Sequence, residues 1–324
     1  MKLKVAVLSG GNSSEAEVSI KSGRQVVNWM DKDKYDVYPI IVMGTRWTLG
    51  DEGGPVINKT DFSVMCEGEK IRFDFAYIIV HGTPGENGLM SGYFDLLGIP
   101  HSTCNTLISS LTFDKYFCKL ALRDINLLMA KAILVRKNQT ITPEEIVKQV
   151  GLPCFIKPNA GGSSCGTSKA KTIEDIPAAL ELAFKEDNEV IIEEFIKGTE
   201  ISCGVIKTKK KTYLFPATEI ISKNEFFDYE AKYTPGMSEE ITPARIPDRV
   251  AKECHRLSLA VYEFFGCKGI VRVDYIIRDE KLYFLEINTI PGMSEASIIP
   301  QQGRVYGITM TELLTNVIED CIAR

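Results

Sequence analysis

The stretch LYFLEIN, Leu282 to Asn288, reads as a buried strand that ends on an acid and an amide two residues apart, Glu286 and Asn288. Strand side chains alternate faces, so these two point the same way. The longer segment GIVRVDYIIRDEKLYFLEIN reads as a hairpin turning at Arg278 to Lys281. Closure near residue 280 sets Asp274 roughly opposite Glu286, and three oxygen donors then share one patch. Such donors suit magnesium, which typically keeps waters and shares substrate phosphates. The competing reading is a hairpin end that simply meets solvent. The apolar flanks weigh against it.

Three further constellations carry chemistry. In FIKPNAGGSSCGTS, small residues let backbone N–H groups approach an anion, and Lys157 precedes the loop on a strand. The lysine comes before the glycines, so this is not the G-x-x-x-x-G-K-[ST] loop, and a plain flexible connection is the alternative. In IIEEFIKGTE, Glu193, Glu194 and Glu200 crowd the end of an apolar strand. They suit an adenine amino group or ribose hydroxyls, or they are ordinary surface. In VLSGGNSSEAEVS a glycine turn leads from strand to helix but lacks the third glycine of G-x-G-x-x-G, which argues against hydride transfer. Glu15 there suits an ammonium group, or merely the dipole of a helix start. HGTPGENG places His81 in a glycine loop after a strand, whereas His101 and His255 read as structural.

The elements that must position these residues follow from periodicity. In the first third, LKVAVLSGG, YDVYPIIVM and FDFAYIIVHG read as strands. Between them Ser14 and Glu17 fit a capping box for a helix to about Met30, and GLMSGYFDLLGIP reads as a helix closed by Gly98 and Pro100. Strand and helix in alternation predict a mainly parallel sheet. A helical segment is predicted from Asn105 to Asp124. Strands follow at AILVRKN, on both sides of the glycine-rich loop, and at EVIIEEFI. Thr172 and Asp175 fit a second capping box, ahead of a stripe of Ile176, Leu180, Ala183 and Phe184. ISCGVIKTKKKTYLFPA reads as two antiparallel strands around a lysine turn. Ser222 to Pro247 is polar, without apolar period, and reads as a structureless lid. A helix from Pro247 carries Val250, Cys254, Leu257, Val261 and Phe264 on one face, and Thr309 with Glu312 fits the cap of a last helix.

Composition bounds the classes. The 324 residues suffice for two or three domains, with 44% apolar and 25% charged residues. A net charge of -5 disfavours a broad nucleic-acid footprint. Nothing approaches a membrane span of roughly 18 apolar residues. Nine scattered cysteines, none in a C-x-x-C pair, point to reduced thiols in the cytoplasm.

Together GGNSSEAEVS, HGTPGENG, Asp114-Lys115, IKPNAGGSSCG, IEEFIKGTE, FFDYEAKY, RVD and EINTIPGMSEAS resemble, in order and over nearly the whole chain, the D-alanine:D-alanine ligases of the ATP-grasp superfamily. Each motif is weak alone; eight in order are specific. The resemblance implies an α/β fold, α+β in part: an N-terminal parallel α/β domain (1–104), and two α+β domains (105–195 and 196–324) that clasp ATP. It implies that two D-alanines are joined through a D-alanyl phosphate. It implies two magnesium ions, with manganese able to substitute, on Asp274, Glu286 and Asn288. Lys115, Lys157 and Lys232 would contact phosphates, with Ser164 in the loop, and Glu193, Ile196 and Glu200 would hold adenosine. Glu15, with His81 nearby, would bind the first D-alanine; Ser297 and Ile298 the second. Arg272 and Gly292 would hold the oxyanion, and Glu15, Ser163 and Tyr233 would shut the lid. A cytoplasmic homodimer without nucleic-acid or membrane partners is implied as well. Asn87, Cys165 and Glu194 depart from the family's usual residues. The alternatives are a D-lactate acceptor, another ATP-grasp carboxylate–amine ligase, or a non-catalytic nucleotide-binding module.

Overall fold

The computed structural model describes residues 2–222 and 236–323. Its first elements are β1 (Leu3–Gly10), α1 (Ala16–Trp29), β2 (Tyr35–Met43), β3 (Arg46–Leu49), β4 (Ser63–Cys66), β5 (Glu69–Arg72), β6 (Phe75–Ile78) and α2 (Leu89–Leu97). Strand order is β3-β2-β1-β6, with β1 parallel to both neighbours and β3 turned back as an antiparallel edge. Val5 to Leu8 are buried in succession, as a parallel strand covered on both faces requires. Strands β4 and β5 form a separate hairpin. The capping box predicted at Ser14 and Glu17 does not form. Helix α1 begins at Ala16 with Glu15 in the N-cap position and no side-chain cap. Ser14 is drawn elsewhere, its Oγ 3.3 Å from Cys165 Sγ, and its neighbour Glu15 accepts from Ser163.

The predicted helix over Asn105 to Asp124 is broken. Helix α3 (Thr106–Phe113) is capped by Asn105, and α4 (Lys115–Ala121) by Asp114, whose backbone is extended (φ -80°, ψ 105°) and whose carboxylate accepts from Phe117 N at 2.8 Å. The break tips Lys115 toward the glycine-rich loop, where its N–H donates to Asn159 O at 3.1 Å. Then come β7 (Leu128–Met129), β8 (Ala132–Arg136), α5 (Pro143–Val150), β9 (Cys154–Pro158), β10 (Ser168–Ala170), α6 (Ile176–Glu186) and β11 (Glu189–Glu194). An antiparallel sheet, β10-β9-β11-β8, packs against α5 and α6 through Ile146, Val150, Ile176, Ala179 and Ala183. Leu180 and Phe184 flank that core half-buried. The Thr172–Asp175 box is present, but it closes a 3-10 turn just ahead of α6.

The last part contains β12 (Thr199–Lys207), β13 (Thr212–Leu214), β14 (Thr218–Ser222), β15 (Ser238–Ile241), α7 (Asp248–Phe265), β16 (Val271–Arg278), β17 (Lys281–Asn288), α8 (Ile298–Tyr306) and α9 (Met310–Ile322). A seven-stranded sheet runs β15-β14-β12-β16-β17-β7, with β13 beside β12. Strand β15 corrects the reading of Ser222 to Pro247 as structureless, because Ser238 to Ile241 pair antiparallel with β14. Helix α7 buries Val250, Cys254, Leu257 and Val261 as predicted, but Phe264 is 44% exposed and Phe265 faces the sheet. One turn past Val261 falls between the two rings, so periodicity alone did not choose. Val317 and Ile318 of α9 pack into the same core as β1, so the chain's end closes the first sheet.

Candidate active site

The hairpin register sets Asp274 opposite Glu286 and Arg272 opposite Asn288, with a bulge between Asp274 and Tyr275. Directly paired residues share a face, so one face of the sheet carries Arg272, Asp274, Glu286 and Asn288. On β12 that face continues with Ser202, which pairs with Asp274, and with Glu200. It runs on through Ile220 of β14 to Glu240 of β15.

Asp274 is buried and well partnered. Ser202 Oγ donates to its Oδ1 at 2.6 Å, and Arg272 reaches it with Nε (3.0 and 3.2 Å) and Nη2 (2.8 Å). Burial works against the Arg272 charge, yet Asp274 and Glu286 hold the guanidinium above its ordinary range. Asn288 Oδ1 accepts from Ile290 N at 2.9 Å, which fixes the amide at the strand's end. Among the described residues no three His, Cys, Asp or Glu side chains form a ready-made metal cage. Two carboxylates and an amide on one face still fit a hard divalent cation whose remaining ligands are phosphate oxygens and water.

Beside this face lies a cavity of about 800 Å³ between the antiparallel sheet and the seven-stranded one. Lys115, Lys157, Ser163, Ser164, Glu193, Ile196, Glu200 and Glu286 all line it. Ser163 and Ser164 hold φ of 53° and 58°, the left-handed region that side chains rarely adopt. Two such residues in succession turn backbone N–H groups inward, an anion-binding shape. Lys115 Nζ donates to Gly161 O at 2.5 Å, at the loop's entrance. Lys157 does not stand alone. Its ammonium pairs with Glu193 Oε2, while Lys119 pairs with Oε1 of the same buried carboxylate. Glu193 is therefore a counter-ion for two lysines, whereas the resemblance implied a contact with adenosine.

At the other end the site is closed by the first sheet. Ser163 Oγ donates to Glu15 Oε1, and a Cβ on Gly162 would lie 2.4 Å from Glu15 Oε2, so a side chain there would push the carboxylate from its place. His81 is buried with both ring nitrogens engaged, Nδ1 with Ile290 O at 3.0 Å and Nε2 with Ser22 Oγ at 3.2 Å. Burial lowers its pKa, so a neutral ring donates to the carbonyl and accepts from the serine. His81 thus ties β6's loop to residues 290–293 and has no nitrogen turned to a substrate. Gly292 abuts Ser297 Oγ, which accepts from Ser294 N at 3.0 Å and leaves the first turn of α8 without a side-chain cap. Ile298 opens that helix, buried. Lys232 and Tyr233 lie outside the described residues.

Two residues escaped the sequence reading. Lys119 is buried, and desolvation together with Lys157 pulls its pKa down to about 7, against the opposing pull of Cys118 and Glu286. One turn after Lys115, its position on the same helix face was the available signal. Glu86 is buried behind Glu15 and accepts from Gly82 N at 2.7 Å. Desolvation and the Glu15 charge raise its pKa to about 8. It stands in HGTPGENG, five residues after His81, with nothing in the local pattern to mark it as buried.

The chain is similar to known proteins over nearly its whole length. Residues 4–104 match the family model described as D-ala D-ala ligase N-terminus, and residues 120–319 the one described as D-ala D-ala ligase C-terminus. The chain is 51% identical over 323 residues to the D-alanine–D-alanine ligase of Phocaeicola vulgatus, covering 99% of each chain. With the Azobacteroides pseudotrichonymphae enzyme of the same name it is 51% identical over 319 residues, covering 97% and 98%. Among solved structures, the VanG D-Ala:D-Ser ligase of Enterococcus faecalis superposes with a TM-score of 0.88 at 31% identity, covering 98% of this chain and 99% of that one. The ATP complex of the Bacillus anthracis D-alanine–D-alanine ligase gives 0.77 at 30%, covering 99% and 97%.

Proposed function

The chain belongs to the D-alanine–D-alanine ligase family, and from that premise we propose how its residues divide the work. It joins two D-alanines into D-alanyl-D-alanine for cell-wall synthesis, with ATP as co-substrate. The nucleotide lies in the 800 Å³ cavity, its phosphates over the Ser163–Ser164 turn and toward Lys115 and Lys157, and Lys232, outside the described residues, is a further phosphate contact. Ile196 and Glu200 face the adenosine. Asp274, Glu286 and Asn288 would hold two magnesium ions, for which manganese would substitute. Metal bound there neutralises charge on the phosphates.

The first D-alanine sits with its ammonium toward Glu15. Its carboxylate attacks the γ-phosphate, giving an acyl phosphate and ADP. Arg272 and the Gly292 N–H stabilise the oxyanion that forms when the second amine attacks. The second substrate's carboxylate lies at the start of α8, by Ser297 and Ile298, where an uncapped helix N-terminus favours an anion. Glu15 and Ser163, with Tyr233, close the chamber and keep water from the acyl phosphate. The three units 1–104, 105–195 and 196–324 act as walls of that chamber, in a cytoplasmic homodimer.

The observation that carries the site assignment is the convergence of Lys115, Lys157, Ser163 and Glu286 on one cavity, with Glu15 closing it. The test offers equimolar D-alanine, D-lactate and D-serine with ATP and magnesium, then separates the products by chromatography. D-alanyl-D-alanine should dominate at pH 7. A depsipeptide or D-alanyl-D-serine as main product would refute the acceptor assignment. Phosphate release independent of D-alanine would refute the acyl-phosphate route.

A further inference from the structure

Glu240 is a carboxylate that the division of labour above leaves without a task. It lies on the active-site face of the sheet, since the register lines it up with Ile220, Glu200 and Ile276. It is half-buried beside the first turns of α8: Gln301 Nε2 donates to Glu240 Oε2 at 2.5 Å and also to Ala296 O at 2.7 Å, one residue before Ser297. The neighbouring Gln302 donates to Ser202 O of β12 and Thr218 Oγ1 of β14, so α8 is anchored to the strands beside β15.

The groups around Glu240 can be enumerated among the described residues. Helix α8 turns the uncharged Gln301 to it, β14 turns Ile220, and on β16 the charged group acting on it is Arg272. Glu239, on its own strand, projects to the opposite face. Hence an acid stands between the helix start that suits the acceptor's carboxylate and the guanidinium that faces the acyl carbon. An amino acid with its carboxylate on the α8 N-terminus brings its ammonium toward this acid.

We propose that Glu240 is a catalytic residue of the second half-reaction, binding the acceptor's ammonium group and taking a proton from it. This rests on the acyl-phosphate route proposed above. The ammonium nitrogen gives one proton to Glu240, and its freed electron pair forms the C–N bond at the acyl carbon. The C–O bond to phosphate breaks and phosphate leaves with that electron pair. The second N–H proton departs on the phosphate. The products are dipeptide, hydrogen phosphate and a protonated Glu240, which returns its proton to solvent. Desolvation raises the Glu240 pKa, outweighing Gln301 and Arg272, and that makes it a better base than an exposed glutamate. A hydroxyl acceptor brings no ammonium for Glu240 to hold, so the residue also favours D-alanine over D-lactate.

The test separates the two half-reactions in Glu240→Gln. Hydroxylamine is largely uncharged at pH 7 and captures an acyl phosphate without a base, so D-alanine hydroxamate reports the first half alone. The variant should form hydroxamate within about twofold of wild type, which also shows that it is folded. Its dipeptide rate at saturating D-alanine should fall on the order of 10²-fold at pH 7, the usual scale for losing a general base. The deficit should shrink as pH rises and the free amine becomes abundant, and Glu240→Asp should recover part of the rate. A dipeptide rate within threefold of wild type at pH 7, with hydroxamate intact, would overturn the proposal alone. A pH-independent deficit would reduce Glu240 to a packing residue and overturn it too. Absence of hydroxamate from wild type would bring down the acyl-phosphate route and this proposal with it.

Discussion

Lys119→Met tests the buried lysine–glutamate–lysine arrangement at the cavity wall. Lys119, Lys157 and Glu193 side chains are only 8%, 13% and 4% exposed, and each carboxylate oxygen takes one ammonium. Orphaning a buried charge outright costs about 3–5 kcal/mol. Here Lys157 still serves one oxygen, and repulsion between the two lysines is relieved, so we expect a stability loss of about 1–2 kcal/mol. The larger effect falls on nucleotide binding. In the proposed site, Lys157 swings to a phosphate while Lys119 still neutralises Glu193. In Lys119→Met the same swing leaves Glu193 buried and unpaired. If that penalty is about 2–3 kcal/mol, apparent ATP affinity drops roughly 30- to 150-fold. The readout is KM for ATP against kcat in a coupled ADP assay at saturating D-alanine. KM should carry most of the change. Lys119→Met with Glu193→Gln removes the stranded charge and should recover at least a third of the lost binding energy, since replacing both partners is far cheaper than removing one. A KM within threefold of wild type in the single variant, or no recovery in the double, would refute the reasoning.

Glu286→Gln should retain the fold, as its strand is paired on both sides, yet lose most turnover because one charge on the metal face disappears; near-wild-type rates at saturating magnesium would remove Glu286 from the site. Glu86 has a folded pKa of about 8, above its unfolded value, so the folded state binds the extra proton and stability falls as pH rises from about 4.5 to 8. Glu86→Gln should therefore gain stability over wild type, by an amount that grows across that window to a few kcal/mol; urea denaturation at pH 5 and pH 8 showing an equal difference would contradict this. Ser163→Ala removes the donor to Glu15 and should raise KM for D-alanine at the first site more than KM for ATP, which initial-rate kinetics in each substrate can separate. Tyr233→Phe should raise D-alanyl-D-lactate formation, most visibly below pH 7 where the competing amine is protonated; an unchanged product ratio would exclude Tyr233 as a selectivity residue.

What the sequence made legible follows from the range of the forces involved. The Asp274–Glu286 pairing could be read because a strand has period 2 and a short hairpin fixes its own register. The same locality misleads where a side chain has a distant partner. Ser14 and Glu17 have the right spacing for a capping box, but Ser163 and Cys165, some 150 residues on, claim Glu15 and Ser14. Asp114 sits in an unbroken helical pattern, and its role as a cap appears only once residues 159–161 lie beside it. Strand β15 spells SEEI, poor in strand formers, and takes its conformation from the edge of β14.

Charge was the hardest property to read, because a lysine or glutamate on a helix or strand is ordinarily a solvated one. Lys119, Glu86 and Glu240 look like surface residues in the chain and become something else through burial. They share a physical logic. Each lies beside a group that must change partners during the reaction: Lys119 beside Lys157, Glu86 beside Glu15, Glu240 beside the start of α8. Lys119 holds Glu193 when Lys157 moves, and Glu86, protonated below about pH 8, adds no second negative charge beside Glu15. In a site that handles a triphosphate, two ammonium groups and an acyl phosphate in succession, such neighbours let the cavity remain dry without stranding a charge at any stage. The three substitutions Lys119→Met, Glu86→Gln and Glu240→Gln therefore should act on different observables (ATP affinity, stability against pH, and the dipeptide step), although all three are ionisable groups drawn away from solvent in the same chamber.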